Sequence, residues 1–248
     1  MAELSTDVRF VRGIGEARAK ALGKLGVHSL RDLLSYFPRA YEDRRTYRRI
    51  AELVPGEAAC VRAMAAGEPK VSHVRKGLDL VKLRVVDASA ALDLTFFNQT
   101  WLKDQLHTGE EYVFFGKAEG SAPHPRMTNP LCEPLGANRV TGRIVPIYPL
   151  TAGVSQNLLS SAVRQGLDAC ADALPEVLDE DLRAAHRLCH VRYAYENVHF
   201  PADDEALALA RRRLVFEELF LLTLGLRLLR GRRAAVAGQS CRETDLAP

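Results

Sequence analysis

The chain lacks the spacings that mark most catalytic and metal centres. Its five cysteines, Cys60, Cys132, Cys170, Cys189 and Cys241, are scattered and odd in number, with no CxxC pair. That argues against a disulfide framework and for a reducing compartment. There is no GxxxxGK[ST] loop and so no Walker-type nucleotide site, and no GxSxG or HExxH. No catalytic residue, no metal site, no cofactor and no ATPase activity are therefore expected of these 248 residues. The opening MAELSTDVRF has no apolar signal-peptide core. The most apolar run, LFLLTLGLRLL at 219–229, is too short to span a bilayer and contains Arg227. A soluble cytoplasmic protein, with no membrane partner, is the expectation.

Aromatic residues are also scarce, at 7% of the chain with a single tryptophan. The rest of the composition is ordinary for a globular protein: 47% hydrophobic, 26% charged and a net charge of +3. A mildly basic balance is compatible with nucleic acid but does not require it.

Three regions separate by pattern. Residues 5–50 read as helical, residues 57–134 as short strands around one helix, and residues 155–233 as helical again. Pro55-Gly56 and the prolines at 123, 125, 130, 134, 146 and 149 mark the joints. This gives a division into 1–50, 51–140 and 141–248. In the middle region, strands are expected at 58–64, 78–87, 91–97, 111–118 and 126–132, with a short helix at 99–107 carrying Leu102 and Leu106. Five strands with a helix between the third and fourth is the order of an OB-fold barrel. The fold class is thus α+β: a helical segment, a five-stranded barrel and a second helical segment ending in a long helix.

The scarce aromatics are concentrated in FFNQTWL at 96–102. Alternation along the third strand puts Leu92, Leu94 and Phe96 on the core face, and Asp93, Thr95 and Phe97 on the other. A solvent-facing Phe97 near Trp101 suits stacking on nucleic-acid bases, with Lys82, Arg84 and Lys103 supplying charge. Asn98 and Gln99 lie between the rings in the same candidate DNA-binding segment. The competing reading is that the two rings cap the open end of a small barrel.

In VRGIGEARAKALGKLG at 11–26, Gly13-Ile14-Gly15 opens a helix in the manner of a helix-hairpin-helix motif. Gly13 and Gly15 would let backbone N–H groups approach a phosphate, and Arg18, Lys20 and Lys24 would add charge. A packing turn fits the same pattern. In PRAYEDRRTYRR at 38–49, arginines alternate with Tyr41 and Tyr47, which suits either phosphate contact or a connector with internal ion pairs. The loose group His186, Cys189, His190 and His199 reads as surface or core histidines, and EVLDED at 176–181 as helix-start charge.

A long helix is expected at 203–230, capped by Asp203 or Asp204 and ending in Arg227, Arg230, Arg232 and Arg233. Leu207, Leu214, Leu221 and Leu228 recur every seven residues, but Glu217 and Glu218 interrupt a coiled-coil seam. Its apolar stretch calls for a partner outside this chain and predicts self-association.

Four stretches resemble the N-terminal part of the RecG family, bacterial ATP-dependent DNA helicases that remodel stalled forks and branch-migrate Holliday junctions. They are residues 11–44, FFNQTWL, RIVPIYPLTAGVSQ at 143–156 and HFPADDEALALARRRLVFEELF at 199–220. The resemblance implies that the middle region is the wedge, an OB-fold that splits the arms of a fork. Phe97 and Trp101 then sit where that family's stacking aromatics support bases at the branch point. It implies branched DNA and single strands at the fork as partners, and a nucleoid-associated cytoplasmic setting. It also implies a motor of two RecA-like lobes, which would bind ATP and magnesium and is not in these residues. The tail AAVAGQSCRETDLAP stands about where that motor would begin. A free-standing single-strand-binding module and a protein-interaction scaffold are the alternatives.

Overall fold

Strand alternation in the middle of the chain decides which side chains meet. The computed structural model describes residues 3–121, 123–137 and 141–234; Cys241, the tail from 235 on and the side chains of Arg232 and Arg233 lie outside them. Strands β1 (Ala40–Asp43), β2 (Ala58–Ala65), β3 (Lys70–Arg75), β4 (Leu78–Val86) and β5 (Ala91–Phe97) are followed by β6 (Glu111–Ser121), β7 (His124–Thr128), β8 (Leu131–Pro134) and β9 (Ile144–Ile147). In the antiparallel β4–β5 pair Val81 faces Phe96, Leu83 faces Leu94 and Val85 faces Leu92. All six are buried, and they form the centre of one core with Val61, Ala63, Tyr112, Phe114 and Met127. Each of these six side chains of the β4–β5 pair contributes about 1.5–3 kcal/mol by leaving water.

Pairing runs from β2 through β4, β5 and β7 to β6, and β6 pairs back with β2. β3 extends this sheet by pairing with β4, and β8 by pairing with β6. Several expectations need correction. The strand β3 is absent from the sequence reading because KVSHVR has no buried face; most of it is exposed. The single strand expected at 126–132 is two, because Asn129 takes a left-handed φ of 47° and Pro130 cannot donate to a ladder. The helix expected at 99–107 is a short 3₁₀ turn at Thr100–Asp104, and both Leu102 and Leu106 are buried.

The helices are α1 (Glu16–Gly23), α2 (Leu30–Leu34), α3 (Gln156–Cys170), α4 (Glu180–His186), α5 (Val191–His199) and α6 (Asp204–Ala234). Residues before 50 are not all helical: β1 pairs antiparallel with β9, Tyr41 opposite Pro146. The second core joins the two ends of the chain. Leu22, Leu30, Leu33 and Leu34 pack with Leu159, Ala162, Val163 and Leu167 of α3 and with Val191 of α5. Gly166 permits the close approach of α2 to α3, since a Cβ there would lie 3.2 Å from Leu34 Cδ2. The strand unit is therefore inserted between two halves of one helical core.

The long helix α6 begins at an Asp203 cap, whose carboxylate accepts from the Ala206 N–H at 2.8 Å. Its Arg213 is fully buried and ion-pairs with Glu217 and, at 2.5 Å, with Glu176. Glu176 also accepts the backbone N–H of Val191 at 2.9 Å, at the start of α5. Its carboxyl is held below the usual range, against the cost of burial, by those backbone and arginine hydrogen bonds. Of the EVLDED acids, Asp179 does cap α4, but Glu176 fastens α6 to α5. Beyond it, Leu219, Leu221, Leu222, Leu226, Leu228 and Leu229 are exposed. Among the described residues no helix is long and apolar enough to cross a membrane.

Candidate nucleic-acid interface

The end of β5 carries the FFNQTWL segment on a fastened turn. Phe96 is fully buried, whereas Phe97 is 39% and Trp101 52% exposed. Neither exposed ring stacks on another ring among the described residues. The Phe97 N–H donates to Asn129 Oδ1 at 2.7 Å, and the Asn129 N–H donates to the Thr95 carbonyl at 2.7 Å. Asn98 takes a left-handed φ of 54°, a conformation asparagine tolerates better than most residues. Its N–H donates to the Asp79 carbonyl at 2.8 Å, and its Oδ1 accepts the Asp79 N–H at 2.9 Å. Gln99 Nε2 reaches Asn129 Oδ1 at 3.4 Å. Asn98 and Gln99 thus direct polar atoms inward to hold the turn. Asn129, which carries no signal in the sequence beyond preceding Pro130, is the residue the reading missed.

The basic residues differ among themselves. On the outer face of the strand unit Lys70 lies directly opposite Lys82, a like-charge pair that costs stability unless an anion is near. Arg84 is held by Asp93 through two bonds of 2.8 and 3.0 Å. That fork–fork contact is the first cause of the lowered Asp93 carboxyl pKa. A groove of about 650 Å³ runs along this face, lined by Lys70, Lys82, Arg84 and Arg126 together with Glu68 and Asp93. Lys103 is exposed in the turn beside Trp101. Lys70 and Arg126 were not anticipated, because the register that places them in the groove depends on pairings remote in sequence.

The other candidate contacts are placed as follows. Gly13 has a φ of 92°, and Gly15 caps α1. Arg18 Nη1 donates to the Gly13 carbonyl at 2.7 Å, closing the turn on itself. Lys20 and Lys24 remain exposed. A Cβ on Gly13 would lie 3.4 Å from Leu158 of α3, so the turn packs against that helix. In 38–49, Arg44 is buried over the Phe115 ring at 4.0 Å and ion-pairs with Glu42. Arg45 joins Asp43 at 2.7 Å and Asp204 at 2.6 Å, and Arg48 joins Glu57 at 2.9 Å. These three arginines make internal ion pairs.

No cluster of histidine, cysteine and carboxylate able to hold a metal occurs among the described residues. His199 is buried, His186 packs on Phe216, and His190 caps α5.

A family model described as the RecG wedge domain matches residues 7–170. The chain belongs to the RecG family. It is 33% identical over 240 residues to the ATP-dependent DNA helicase RecG of Thermotoga maritima, covering 95% of this chain and 30% of that protein. Its identity to the RecG helicase of Bacillus subtilis is 29% over 225 residues, covering 91% of this chain and 32% of the relative. Among solved structures, a RecG bound to a three-way DNA junction superposes with a TM-score of 0.82 at 33% identity, over 94% of this chain and 32% of that one. The chain therefore spans about a third of the length of the RecG proteins it matches.

Proposed function

We propose that this chain is the branched-DNA recognition part of a RecG helicase, acting in bacterial DNA repair and recombination in the cytoplasm at the nucleoid. In this reading the division is 1–50, 51–140 and 141–248, and the middle part is a five-stranded OB-fold barrel serving as wedge. Support for the barrel comes from the pairing circuit of β2, β4, β5, β7 and β6. The observation that carries the function is the pair Phe96 and Phe97, adjacent in sequence, one fully buried and the other exposed on a turn fastened by Asn98 and Asn129.

Phe97 and Trp101 stack on unpaired bases where the parental duplex ends, at about 1–3 kcal/mol per base. This offsets part of the cost of opening the junction. Lys82, Lys70 and Arg126 in the groove, with Lys103 in the turn beside Trp101, neutralise backbone phosphates, so affinity falls with salt. Gly13, Gly15, Lys20 and Lys24 form a second, weaker phosphate contact. The motor and its ATP and magnesium belong to sequence outside these residues, and the exposed leucines of α6 pack against it. The test is fluorescence anisotropy of a labelled fork with Phe97→Ala and Trp101→Ala. Loss of fork affinity with an unchanged melt supports the reading; parental affinity in both variants removes it.

A further inference from the structure

Arg143 stands at the entry to β9, and its guanidinium forms no salt bridge among the described residues. Its Nε is shielded from solvent and has no hydrogen-bond partner among the described residues. Two other arginines press on it. The Arg44 N–H donates to the Arg143 carbonyl at 3.1 Å, and the Arg44 side chain is committed to Glu42 and the Phe115 ring. Arg164 of α3 lies over the Phe200 ring at 3.7 Å. Burial first, then the charges of Arg164 and Arg44, push the Arg143 pKa down, while Glu133 opposes them. The Glu133 carboxylate is itself engaged, accepting the Thr141 N–H at 2.9 Å and the Thr141 hydroxyl.

Beside these groups a cleft of about 270 Å³ opens, lined by Arg44, Arg143, Ser155, Asn157 and Ser160 among others, with no carboxylate among the described residues of its wall. Its far side is the first turn of α3, a helix of fifteen residues whose N-terminal end carries positive potential. A cleft walled by the Arg143 guanidinium, hydroxyls, an amide and a helix start offers the positive charge and the several donors that a phosphate group accepts.

We propose that this cleft binds a phosphate group, with Arg143 as its principal ligand. It is separate from the Phe97 platform and from the groove on the strand unit. The phosphate is either a backbone phosphodiester of a duplex arm, in which case the assignment rests on the DNA-binding reading, or a free phosphate.

The test uses the 248-residue chain and two readouts. Thermal melting is followed while sodium phosphate replaces sodium chloride at constant ionic strength. Parent protein should show a saturable rise in Tm. Arg143→Lys, which keeps the charge and loses the planar fork, should need roughly tenfold more phosphate. Arg143→Gln should lose the saturable component and keep only the general salting effect that phosphate has on any protein. Asn157→Asp places a carboxylate at the mouth of the cleft and should lose it too, which covers the case in which Arg143→Gln folds poorly. The second readout is the salt dependence of fork binding. A slope lowered by about 1 in Arg143→Gln identifies a DNA phosphate as the ligand. An unchanged slope with a lost phosphate response identifies a free phosphate. If parent, Arg143→Gln and Asn157→Asp respond alike to phosphate and share one salt slope, the cleft is not a phosphate site. Failure of the Phe97 and Trp101 variants to weaken fork binding would overturn the wedge reading and leave the phosphate response of the cleft standing.

Discussion

His199 and Leu34, 165 residues apart, are joined by a 2.7 Å hydrogen bond in the interior of the helical core. The Leu34 carbonyl can only accept, so His199 Nε2 carries the proton. Nδ1 is then left to accept the Tyr148 hydroxyl at 2.9 Å. The ring is fully buried and packs between Phe37 and Tyr148. It ties the start of the chain to α5 and to the entry of α3.

This bond makes stability depend on pH. Burial drives the His199 pKa down to about 4, from an ordinary value of 6.5. The folded state therefore stays unprotonated where the unfolded state takes up a proton. Stability is full above about pH 6.5 and falls as pH drops toward 4, by on the order of 3 kcal/mol across that window. Urea unfolding at a series of pH values should show this slope, and His199→Gln should flatten it while lowering stability at pH 7. A slope unchanged in the variant would assign the pH dependence to other groups.

The Arg213–Glu176 pair makes a different prediction. Arg213 has no exposed side chain, so removing both of its carboxylate partners strands a charge. Glu176→Ala/Glu217→Ala should destabilise the chain by about 3–5 kcal/mol. Arg213→Met, which removes the buried charge instead, should cost markedly less. Equal losses in chemical denaturation would show that the pair acts only through packing.

The face of α6 beyond Arg213 should make the isolated chain associate. Leu219, Leu221, Leu222, Leu226, Leu228 and Leu229 are exposed together, a larger apolar patch than monomers usually carry. Light scattering should show mass rising with concentration, and Leu221→Glu should reduce the rise. A monomer at high concentration with either sequence would contradict this.

The basic groove separates two residues that look alike in sequence. Lys82 faces Lys70, whereas Arg84 is held by Asp93. Lys82→Ala should lower the salt slope of fork binding by about 1. The double variant Arg84→Ala/Asp93→Ala removes a neutral pair and should bind as the parent does. A loss in the double variant equal to that in Lys82→Ala would show that Arg84 contacts DNA despite its partner.

Local pattern made the sheet legible where one face is buried and the other is not. Val81, Leu83 and Val85 opposite Leu92, Leu94 and Phe96 could be read because alternation alone fixes their face. β3 could not, since both its faces are wet. Nor could β1, whose pairing with β9 joins residues about a hundred positions apart and leaves no periodic trace. For the same reason the shared core of α2 and α3 leaves no trace in the sequence, although both helices fall in regions that read as helical. Phe97 and Trp101 could be singled out from the sequence. The fastening of their turn could not, because Asn129 reaches it through the parallel β5–β7 pairing.

The central claim is that adjacent phenylalanines divide stability from recognition. Thermal melting beside fork-binding titration of Phe96→Ala and Phe97→Ala tests it most directly. Phe96→Ala should cost about 3–5 kcal/mol of stability by emptying a core position. Phe97→Ala should melt like the parent and bind a forked duplex more weakly, by about 1–3 kcal/mol if one base stacks on it. A Phe97→Ala variant that melts as badly as Phe96→Ala, or that melts normally and binds forks as tightly as the parent, would contradict the account.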